Sequence, residues 1–472
     1  MKILLTGATG YIGKRLLPIL IGQGHQVVCC VRDKNRFYIP KEYEKNVSVI
    51  EIDFLIKETL SAIPDDIDAA YYLMHSMSTS SENFDDLESI SATNFVQRLN
   101  KTSVKQVIYL SGIVNDTSLS KHLSSRKKVE DILNTGKFAA TTLRAGIIVG
   151  SGSASFEIIR DLVNKLPIMI APKWLNTRCQ PIAITDVLEF LSKSLLNPLT
   201  YNQNFDIGGP DILTYKEMLL GYAEAKHLKR WIFTIPVMTP KLSSYWLYFV
   251  TSTSYKLATA LVSSMKVEVI CRDHRINDIL NVKPMTYKQA LARALVKVDE
   301  DKVASSWKDS LVSGRFSNNI SEYLKVPKKD CFIDRRKMEI IDREYTINKI
   351  WSIGGDMGWY YGDWLWGLRG FIDKLYGGVG SRRGRTNRHE IHSGDALDFW
   401  RVLYANKEEG KLILFAEMKL PGEAWLEFKI IGNTLYQAAT FRPKGIWGKL
   451  YWYSVLPFHG FIFNGMLKKL IK

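Results

Sequence analysis

The chain contains 472 residues, 46% of them hydrophobic, which predicts two or three domains with sizeable cores and argues against bulk disorder. Its 64 Lys and Arg residues against 48 Asp and Glu residues give a formal net charge of +16, which favours anionic partners: a phosphorylated cofactor, an anionic membrane surface or nucleic acid. Because the basic residues are scattered, an ordinary basic soluble protein is an equal alternative.

The first 150 residues alternate short apolar runs with amphipathic stretches. Strands are predicted over 2–6, 26–31, 47–52, 68–74, 105–110 and 141–144. Helices are predicted between them, including 12–22, 84–101 and 122–135. This alternation is typical of an α/β fold, a doubly wound parallel sheet covered on both faces. The sheet domain is expected over 1–230, and a helical substrate lobe of the same unit over 231–325.

The rest of the chain has a different composition. Residues 326–345 are charged, lack a long apolar period and are interpreted as a linker. Residues 346–472 contain eight of the twelve tryptophans. Strands are predicted over 411–418, 424–431 and 434–441, and a helix over 457–471. This order predicts an α+β domain curved around a cavity.

Cysteine usage and hydropathy bear on the compartment. The five cysteines form no CxxC pair, which indicates a reducing compartment and argues against a disulfide framework. The N-terminus reaches a glycine turn after a few apolar residues and does not resemble a signal peptide. No uncharged apolar stretch reaches the roughly 18 residues that a membrane span needs. We expect a cytoplasmic protein, with contact to a membrane surface at most.

A glycine-rich turn follows the first predicted strand and opens the first helix. Its glycines are spaced by three residues, so that the first permits a tight turn, the second lets the backbone approach a pyrophosphate, and the third lets helix and strand pack closely. The helix N-terminus adds free N–H groups and partial positive charge. The sequence therefore predicts that dinucleotide phosphates bind at Gly7, Ala8, Thr9, Gly10, Tyr11, Ile12 and Gly13.

Charged residues after the second and third strands bear on the identity of the dinucleotide. Arg32 is the first charged residue after strand two, and Arg36 is close behind; because Arg pairs bidentately with phosphate, we expect NADP. Asp33 would favour NAD if it turned inward, so NAD stays possible. After strand three, Asp53 is a candidate for the adenine amino group, with Phe54 flanking the adenine.

Residues 1–300 resemble an atypical member of the extended short-chain dehydrogenase/reductase family. The resemblance rests on TGATGYIG at 6–13, YYLMHSM at 71–77, LSG at 110–112 and LRAG at 143–146. It implies a Rossmann fold and an NAD(P) cofactor contacted by Met74, His75 and Arg144.

The C-terminal part resembles the DUF2867 domain, which can follow this type of dehydrogenase. The motifs are GGDMGWYYGDWLWGLRG at 354–370, GSRRGR at 380–385, GDALDFWRV at 394–402 and AEMKLPGEAWLEF at 416–428. The resemblance implies a START-like helix-grip fold, with strands wrapped around a C-terminal helix.

The catalytic set of the dehydrogenase family is altered. The family uses Ser, Tyr and Lys, with Tyr and Lys spaced YxxxK on one helix face. No YxxxK follows strand five, but His122 and Arg126 keep the spacing, and Ser111 keeps the place of the family serine. His122 can titrate near neutral pH as acid or base, while Arg126 stays protonated and donates only. The alternative is a domain that binds nucleotide without turning it over.

Further features have two interpretations each. Asp186 either caps the next helix or helps to fix the substrate lobe. Arg382, Arg383 and Arg385 form a glycine-spaced basic loop that grips an anion or is simply solvated. The C-terminal aromatics line an apolar pocket or fill the core. The basic helix over 457–472 touches a membrane surface or docks on its own domain.

These patterns favour an NADP-dependent reductase or epimerase-like enzyme without a metal. The aromatic C-terminal domain suggests an apolar, quinone- or lipid-like substrate. The alternative is a non-catalytic nucleotide sensor or assembly factor that signals through this domain. We expect no nucleic-acid partner, and the sequence points to no specific protein partner.

Overall fold

The computed structural model describes residues 1–74, 84–113, 121–235, 240–251, 255–299, 305–306, 323–380, 385 and 390–472. The chain divides into two compact units, residues 1–34 with 39–307 and residues 35–38 with 308–472. Each described unit has hydrophobic core clusters of its own.

The first unit is built on a seven-stranded parallel sheet. The strands of this unit, in that sheet and in three two-stranded sheets, are β1 (Lys2–Leu5), β2 (Gln26–Val31), β3 (Val47–Glu51), β4 (Ala69–Tyr72), β5 (Gln106–Gly112), β6 (Ala139–Ala145), β7 (Ile148–Val149), β8 (Ile168–Pro172), β9 (Arg178–Cys179), β10 (Ile182–Ala183), β11 (Gln203–Ile207), β12 (Leu213–Thr214) and β13 (Trp231–Ile235). The large sheet has the order β11-β6-β5-β4-β1-β2-β3. Strands β2 and β3 lie on one side of β1, and β4 and the later strands lie on its other side, which makes the β1/β4 boundary the topological switch point.

Helices connect these strands. They are α1 (Tyr11–Gly22), α2 (Phe84–Leu99), α3 (Lys121–Leu133), α4 (Ala154–Lys165), α5 (Ile184–Lys193), α6 (Tyr215–Ala225), α7 (Pro240–Val250), α8 (Tyr255–Ser264), α9 (Arg275–Leu280) and α10 (Tyr287–Asp299). The predicted doubly wound α/β class is confirmed.

Strand β2 illustrates why the sequence forms a sheet covered on both faces. Five consecutive residues of its QVVCCV run, Val27 to Val31, are buried, whereas a half-solvated strand would alternate. Burial raises the pKa of the Cys29 thiol to about 12 and holds that of Cys30 well above its usual range. Both thiols are therefore unreactive core groups.

The helical lobe draws on more of the chain than predicted. Its core combines residues of α7, α8 and α10 with residues of α4 and α6, beginning at Val149. The boundary after residue 230 thus cuts through one core, because these earlier helices bury their apolar faces against the later ones. Asp186 lies in the first turn of α5 but does not cap it; its Oδ2 accepts from the Met285 amide at 2.7 Å and ties α5 to the lobe.

The second unit contains a six-stranded antiparallel sheet and helices. Its elements are β14 (Phe332–Glu339), α11 (Arg343–Ile350), α12 (Asp363–Leu375), β15 (Ala396–Leu397), β16 (Trp400–Asn406), β17 (Lys411–Ala416), β18 (Gly422–Ile431), β19 (Thr434–Pro443) and α13 (Gly445–Leu470). The sheet order is β14-β19-β18-β17-β16-β15, and α13 packs against β14 and β19. An antiparallel sheet with a long terminal helix agrees with the predicted α+β domain.

Two boundaries in this unit differ from prediction. The interpretation of 326–345 as a linker is wrong, because it contains β14 and the start of α11. Among the described strands, β14 lies at the edge of the sheet and pairs with β19 alone. An edge strand needs few apolar residues, so the charged composition of β14 concealed it in the sequence. Helix α13 begins at Gly445 and runs through Pro457, where the sequence predicted a start. In the described residues, no helix is long and apolar enough to cross a membrane.

Candidate functional site

The glycine loop between β1 and α1 has the geometry that close backbone packing requires. Gly7 has φ +65°, and a Cβ there would lie 2.5 Å from the Leu73 carbonyl oxygen at the end of β4. A Cβ on Gly13 would lie 2.3 Å from the Gly7 carbonyl oxygen. Glycine is thus required at both positions, for the turn and for helix–strand packing, as the motif predicted.

Gly10 differs from its two neighbours in the motif. Its φ is −81°, so its conformation is open to any residue. Among described residues, a Cβ there would meet only the Gly7 carbonyl oxygen, at 3.1 Å. The remaining space above Gly10 is a cradle that a side chain would fill, and it fits the close approach of a pyrophosphate.

The first turn of α1 completes this cradle. Helix α1 begins at Tyr11, and its first intrahelical hydrogen bond is donated by the Lys14 amide to the Gly10 carbonyl at 3.0 Å. The amides of residues 11–13 therefore have no acceptor within the helix, and no acidic side chain lies in this turn. Free amides and the helix dipole make this end suited to an anion.

The side chain of Tyr11 makes its contacts within the protein. Its hydroxyl donates to the Ser151 carbonyl at 3.2 Å, and burial raises its pKa to about 12. Arg15 lies over the Tyr11 ring, 4.7 Å from its centroid. Its guanidinium donates to the Ser151 carbonyl at 2.7 Å and to the Ser305 hydroxyl at 2.9 Å. Tyr11 thus has only its backbone amide to offer to a dinucleotide.

The end of β2 presents one basic and one acidic side chain in different environments. Arg32 is exposed, and Asp33 is only 2% exposed. Asp33 has therefore turned inward, and this is the arrangement that the sequence analysis associates with NAD. Arg36 lies in a short 3-10 turn, and its side chain is outside the described residues.

The end of β3 and the end of β4 contribute less than predicted. Asp53 Oδ1 accepts from the Leu55 amide at 3.0 Å, a local turn contact. Phe54 does not stand open beside a ligand: it is 6% exposed and packs 5.8 Å from Phe95, because its side chain completes the core under α2. Met74 is half-buried against the same core. His75 lies outside the described residues.

Ser111 lies near the end of β5, and Arg126 of α3 reaches the backbone of the same strand. Ser111 is 4% exposed and shares a hydrogen bond with Tyr109. Arg126, on α3, donates to the Leu110 carbonyl at 3.4 Å. Burial raises the pKa of Tyr109, and the charge of Arg126 partly offsets this rise. His122 lies one helical turn before Arg126, and its side chain is outside the described residues.

Glu130 is a site residue that the sequence analysis missed. It is 1% exposed and accepts from Arg144 Nη2 at 2.6 Å, Lys127 Nζ at 3.0 Å and Asn204 Nδ2 at 3.1 Å. The guanidinium of Arg144, predicted to contact the cofactor, is thus held by a buried carboxylate. The spacing in the sequence could have pointed to Glu130, because it follows Arg126 by four residues and so lies on the same helix face.

The basic loop of the second unit is tied to its own backbone. Arg385 donates to the Ile353 carbonyl at 2.8 Å and to the Trp351 carbonyl at 2.8 Å. It also donates to the Glu390 carbonyl at 3.2 Å, so three protein carbonyls hold the guanidinium, and this corrects its interpretation as an anion grip. Arg382 and Arg383 lie outside the described residues. Within the described ranges, no three His, Cys, Asp or Glu side chains are grouped to hold a metal.

Comparison with protein families confirms both resemblances. A family model described as NAD(P)H-binding matches residues 7–153, and one described as a protein of unknown function (DUF2867) matches residues 328–466. The chain therefore carries an NAD(P)-binding domain followed by a DUF2867 domain.

Solved structures share the Rossmann-type fold. A triphenylmethane reductase from Citrobacter sp. is 15% identical, with 63% of this chain and 100% of that chain covered and a TM-score of 0.51. A nucleoside-diphosphate-sugar epimerase from Staphylococcus aureus is 17% identical, with 62% and 99% covered and a TM-score of 0.50. At these identities the likeness shows the fold alone.

One curated relative is similar over part of the chain. The Photosystem II assembly factor Ycf39 of Synechocystis sp. is 27% identical over 111 residues, which is 24% of this chain. The match spans a third of that relative's length, 33%.

Proposed function

We propose that the first unit is an NADP-dependent reductase or epimerase-like enzyme that acts on an apolar, quinone- or lipid-like carbonyl substrate. One observation carries this proposal. The glycine cradle follows β1, and Ser111 lies at the end of β5, where Arg126 donates to the neighbouring Leu110 carbonyl, only one strand beyond the switch point between β1 and β4. Rossmann folds bind dinucleotides in the crevice at that point.

In this proposal, each residue of the site has a separate role. The amides at the start of α1 hold the pyrophosphate, and Gly10 lets it approach. When bound, the nicotinamide supplies or accepts a hydride. His122 exchanges the proton of the substrate oxygen, the role that the family tyrosine has elsewhere. Arg126 donates to that oxygen or to the ribose, and the Arg144–Glu130 ion pair keeps α3 positioned against β6.

The enzymatic proposal is tested by NADPH oxidation with a panel of quinones and carbonyl compounds. With a substrate that is turned over, His122→Ala is expected to lower kcat by about 10²–10⁴-fold, the usual contribution of a general acid, while the Kd of NADPH stays the same. Lys128→Ala changes an exposed side chain of the same helix and is the matched control. If no compound in the panel is reduced and His122→Ala leaves every phenotype intact, the protein is not this enzyme.

Cofactor preference is assigned to the end of β2. Although Asp33 is turned inward, the exposed Arg32 is available to pair with the 2′-phosphate of NADP. Losing one charge-assisted contact costs about 1.5–3 kcal/mol of binding free energy. Arg32→Ala is therefore expected to raise the Kd of NADPH by roughly 10–100-fold and to leave the Kd of NADH unchanged. Lys41→Ala, also exposed, serves as control. Unchanged NADPH binding, together with weaker NADH binding in Asp33→Asn, would instead show an NAD protein.

A second candidate is a non-catalytic assembly factor or nucleotide sensor. The similarity to an assembly factor over 111 residues favours it. It predicts that Gly10→Ala abolishes the cellular phenotype of the wild-type protein, whereas His122→Ala retains it. The enzymatic proposal predicts loss in both variants.

A further inference from the structure

Helix α12 of the second unit exposes its apolar side chains and buries charged ones. Its exposed apolar positions recur at spacings of three or four residues and so share one face of the helix. They are Trp364, Leu368, Phe371, Ile372 and Leu375. Asp373 and Lys374 of the same helix are buried. A helix that only covered a core would have the opposite arrangement, so the apolar row of α12 needs a different explanation.

Helix α13 carries a second row of exposed apolar side chains. One side of this helix packs against β14 and β19. Its exposed side has apolar residues at the same spacing of three or four positions, from the first turn to the middle of the helix. They are Ile446, Trp447, Leu450, Tyr453, Phe458 and Phe461. The helix therefore docks on its own domain, as one of the two interpretations of the sequence has it, and still presents an apolar row outward.

The two rows adjoin each other. The ring of Tyr361, two residues before α12, lies 4.9 Å from the ring of Phe461 on α13. A cavity of about 250 Å³ lies between the two helices, and the exposed side chains of Leu368, Ile372 and Phe458 line it, so both rows reach its rim. The rows thus form one surface, which we call the α12–α13 face.

The charge beside this face is positive. The stretch 444–472 contains no Asp or Glu and has five exposed lysines, Lys444, Lys449, Lys468, Lys469 and Lys472. Because Lys468 follows Leu450 by about five helical turns, it lies in line with the apolar row of α13. Within α12 and α13, both described throughout, the exposed acidic residue is Asp363, which accepts from the Trp359 amide at 2.7 Å. The face therefore suits an anionic partner.

The composition of the face favours a membrane over a protein. Contiguous exposed apolar patches mark sites of contact with either. Protein–protein interfaces are depleted in lysine. At the surface of a bilayer, by contrast, tryptophan and tyrosine rings lie among the headgroups, and lysine side chains reach the lipid phosphates. The formal net charge of +16 adds attraction to anionic lipids.

We propose that the α12–α13 face docks on the surface of a lipid bilayer that contains anionic lipids. The apolar side chains of both helices enter the boundary between headgroups and acyl chains, and the lysines of α13 pair with lipid phosphates. The face belongs wholly to the second unit, so the inference does not rest on the proposed reductase activity.

Flotation of the full-length protein with lipid vesicles tests this proposal. One set of vesicles is phosphatidylcholine alone, and in the other set about a third of the lipid is phosphatidylglycerol. We expect at least about 10-fold stronger binding to the anionic vesicles, because the lysines are attracted only to net negative headgroups. Added salt should weaken this binding through screening. No binding to the anionic vesicles, or equal binding to both sets, would overturn the proposal.

A double tryptophan variant locates the apolar contact. Trp364 and Trp447 are 68% and 78% exposed, so Trp364→Ser/Trp447→Ser should melt at the wild-type temperature. It is expected to bind anionic vesicles roughly 100-fold more weakly, about 10-fold for each ring that no longer enters the bilayer. Trp231→Ser is the matched control, since Trp231 lies on β13 of the first unit and is 54% exposed. Unchanged binding of the double variant would show that a different surface contacts the lipid.

A double lysine variant locates the electrostatic contact. Lys468→Gln/Lys469→Gln is expected to weaken binding to anionic vesicles by roughly 25-fold, about 5-fold for each lysine. Lys105→Gln/Lys137→Gln removes the same charge from exposed positions of the first unit and should have little effect. Equal losses in the two variants would mean that overall charge, and not this face, attracts the lipid. These variants also decide the question if the tryptophan variant does not fold.

The other occupant that this face could have is a second copy of the chain. Sedimentation velocity without vesicles distinguishes the two. We expect the wild-type protein and Trp364→Ser/Trp447→Ser to sediment alike. A wild-type dimer that the two substitutions convert to a monomer would show that a second copy covers the face, and would overturn the membrane proposal.

Discussion

Gly10→Ala is expected to weaken NAD(P)H binding by at least about 100-fold, a loss of roughly 2.7 kcal/mol, while the protein stays folded. Among the atoms that the structure describes, the added Cβ would meet only the Gly7 carbonyl oxygen, at 3.1 Å, so the loop needs to shift by a few tenths of an ångström. The same Cβ stands where the pyrophosphate approaches the backbone, so the cofactor loses contact with the amides of α1. Fluorescence titration with NADPH and thermal melting measure the two effects separately.

Gly22→Ala is the control for this substitution. It lies at the other end of α1, and a Cβ there would have no described atom within 4 Å. Both affinity and melting temperature should match those of the wild type. Gly7→Ala and Gly13→Ala form a contrasting pair that should impair folding, because their Cβ atoms meet backbone at 2.5 Å and 2.3 Å. Normal NADPH affinity in Gly10→Ala would show that the phosphates do not bind in this loop.

Glu417→Ala is expected to destabilise the second unit by about 3–5 kcal/mol. Glu417 and Arg401 are both fully buried, and Arg401 Nη2 lies 3.1 Å from each carboxylate oxygen. Removing the carboxylate leaves a guanidinium charge in the core, with its desolvation no longer offset by an ion pair. Urea unfolding followed by tryptophan fluorescence reports mainly on this unit, because eight of the twelve tryptophans lie in residues 346–472.

Two controls separate this charge effect from general damage to the sheet. The first is Glu423→Ala: Glu423 pairs with Arg442 on the surface of the same sheet, where the two side chains are 30% and 48% exposed, and we expect a loss below about 1 kcal/mol. The second is the double variant Arg401→Met/Glu417→Leu, which removes both charges and should recover most of the stability. A double variant as unstable as Glu417→Ala would mean that packing, and not charge, holds this position.

The glycine motif and the strand pattern were read correctly because both depend on residues close in sequence. Gly7 and Gly13 are required by contacts within the loop and with the adjoining strand end, and the buried run of β2 follows from its own composition. By contrast, the predicted cofactor role of Phe54 depended on which way one side chain turns at a strand end. The structure places that ring on Phe95, forty-one positions later in the chain.

The other differences between prediction and structure concern charged residues. Arg144 was expected to face a cofactor, but its partner is Glu130 on α3, and Arg385 binds two backbone carbonyls of a preceding loop. A basic side chain carries the same signal in a sequence whether it awaits a ligand or has an internal partner. The charged segment 326–345 likewise resembled a linker, although β14 needs only one neighbour, β19, more than ninety residues away.

The sequence by itself determined the class of both domains, the glycine turn between β1 and α1, and the position of helix α3. Each of these depends on periodicity or spacing within a few turns of chain, which local backbone geometry translates directly into structure. The tertiary structure alone decided which charges are internally paired, that β14 pairs with β19 at the edge of the second sheet, and that a cavity lined by aromatic side chains lies between α12 and α13. These depend on side chains far apart in sequence, whose meeting only the packed fold defines.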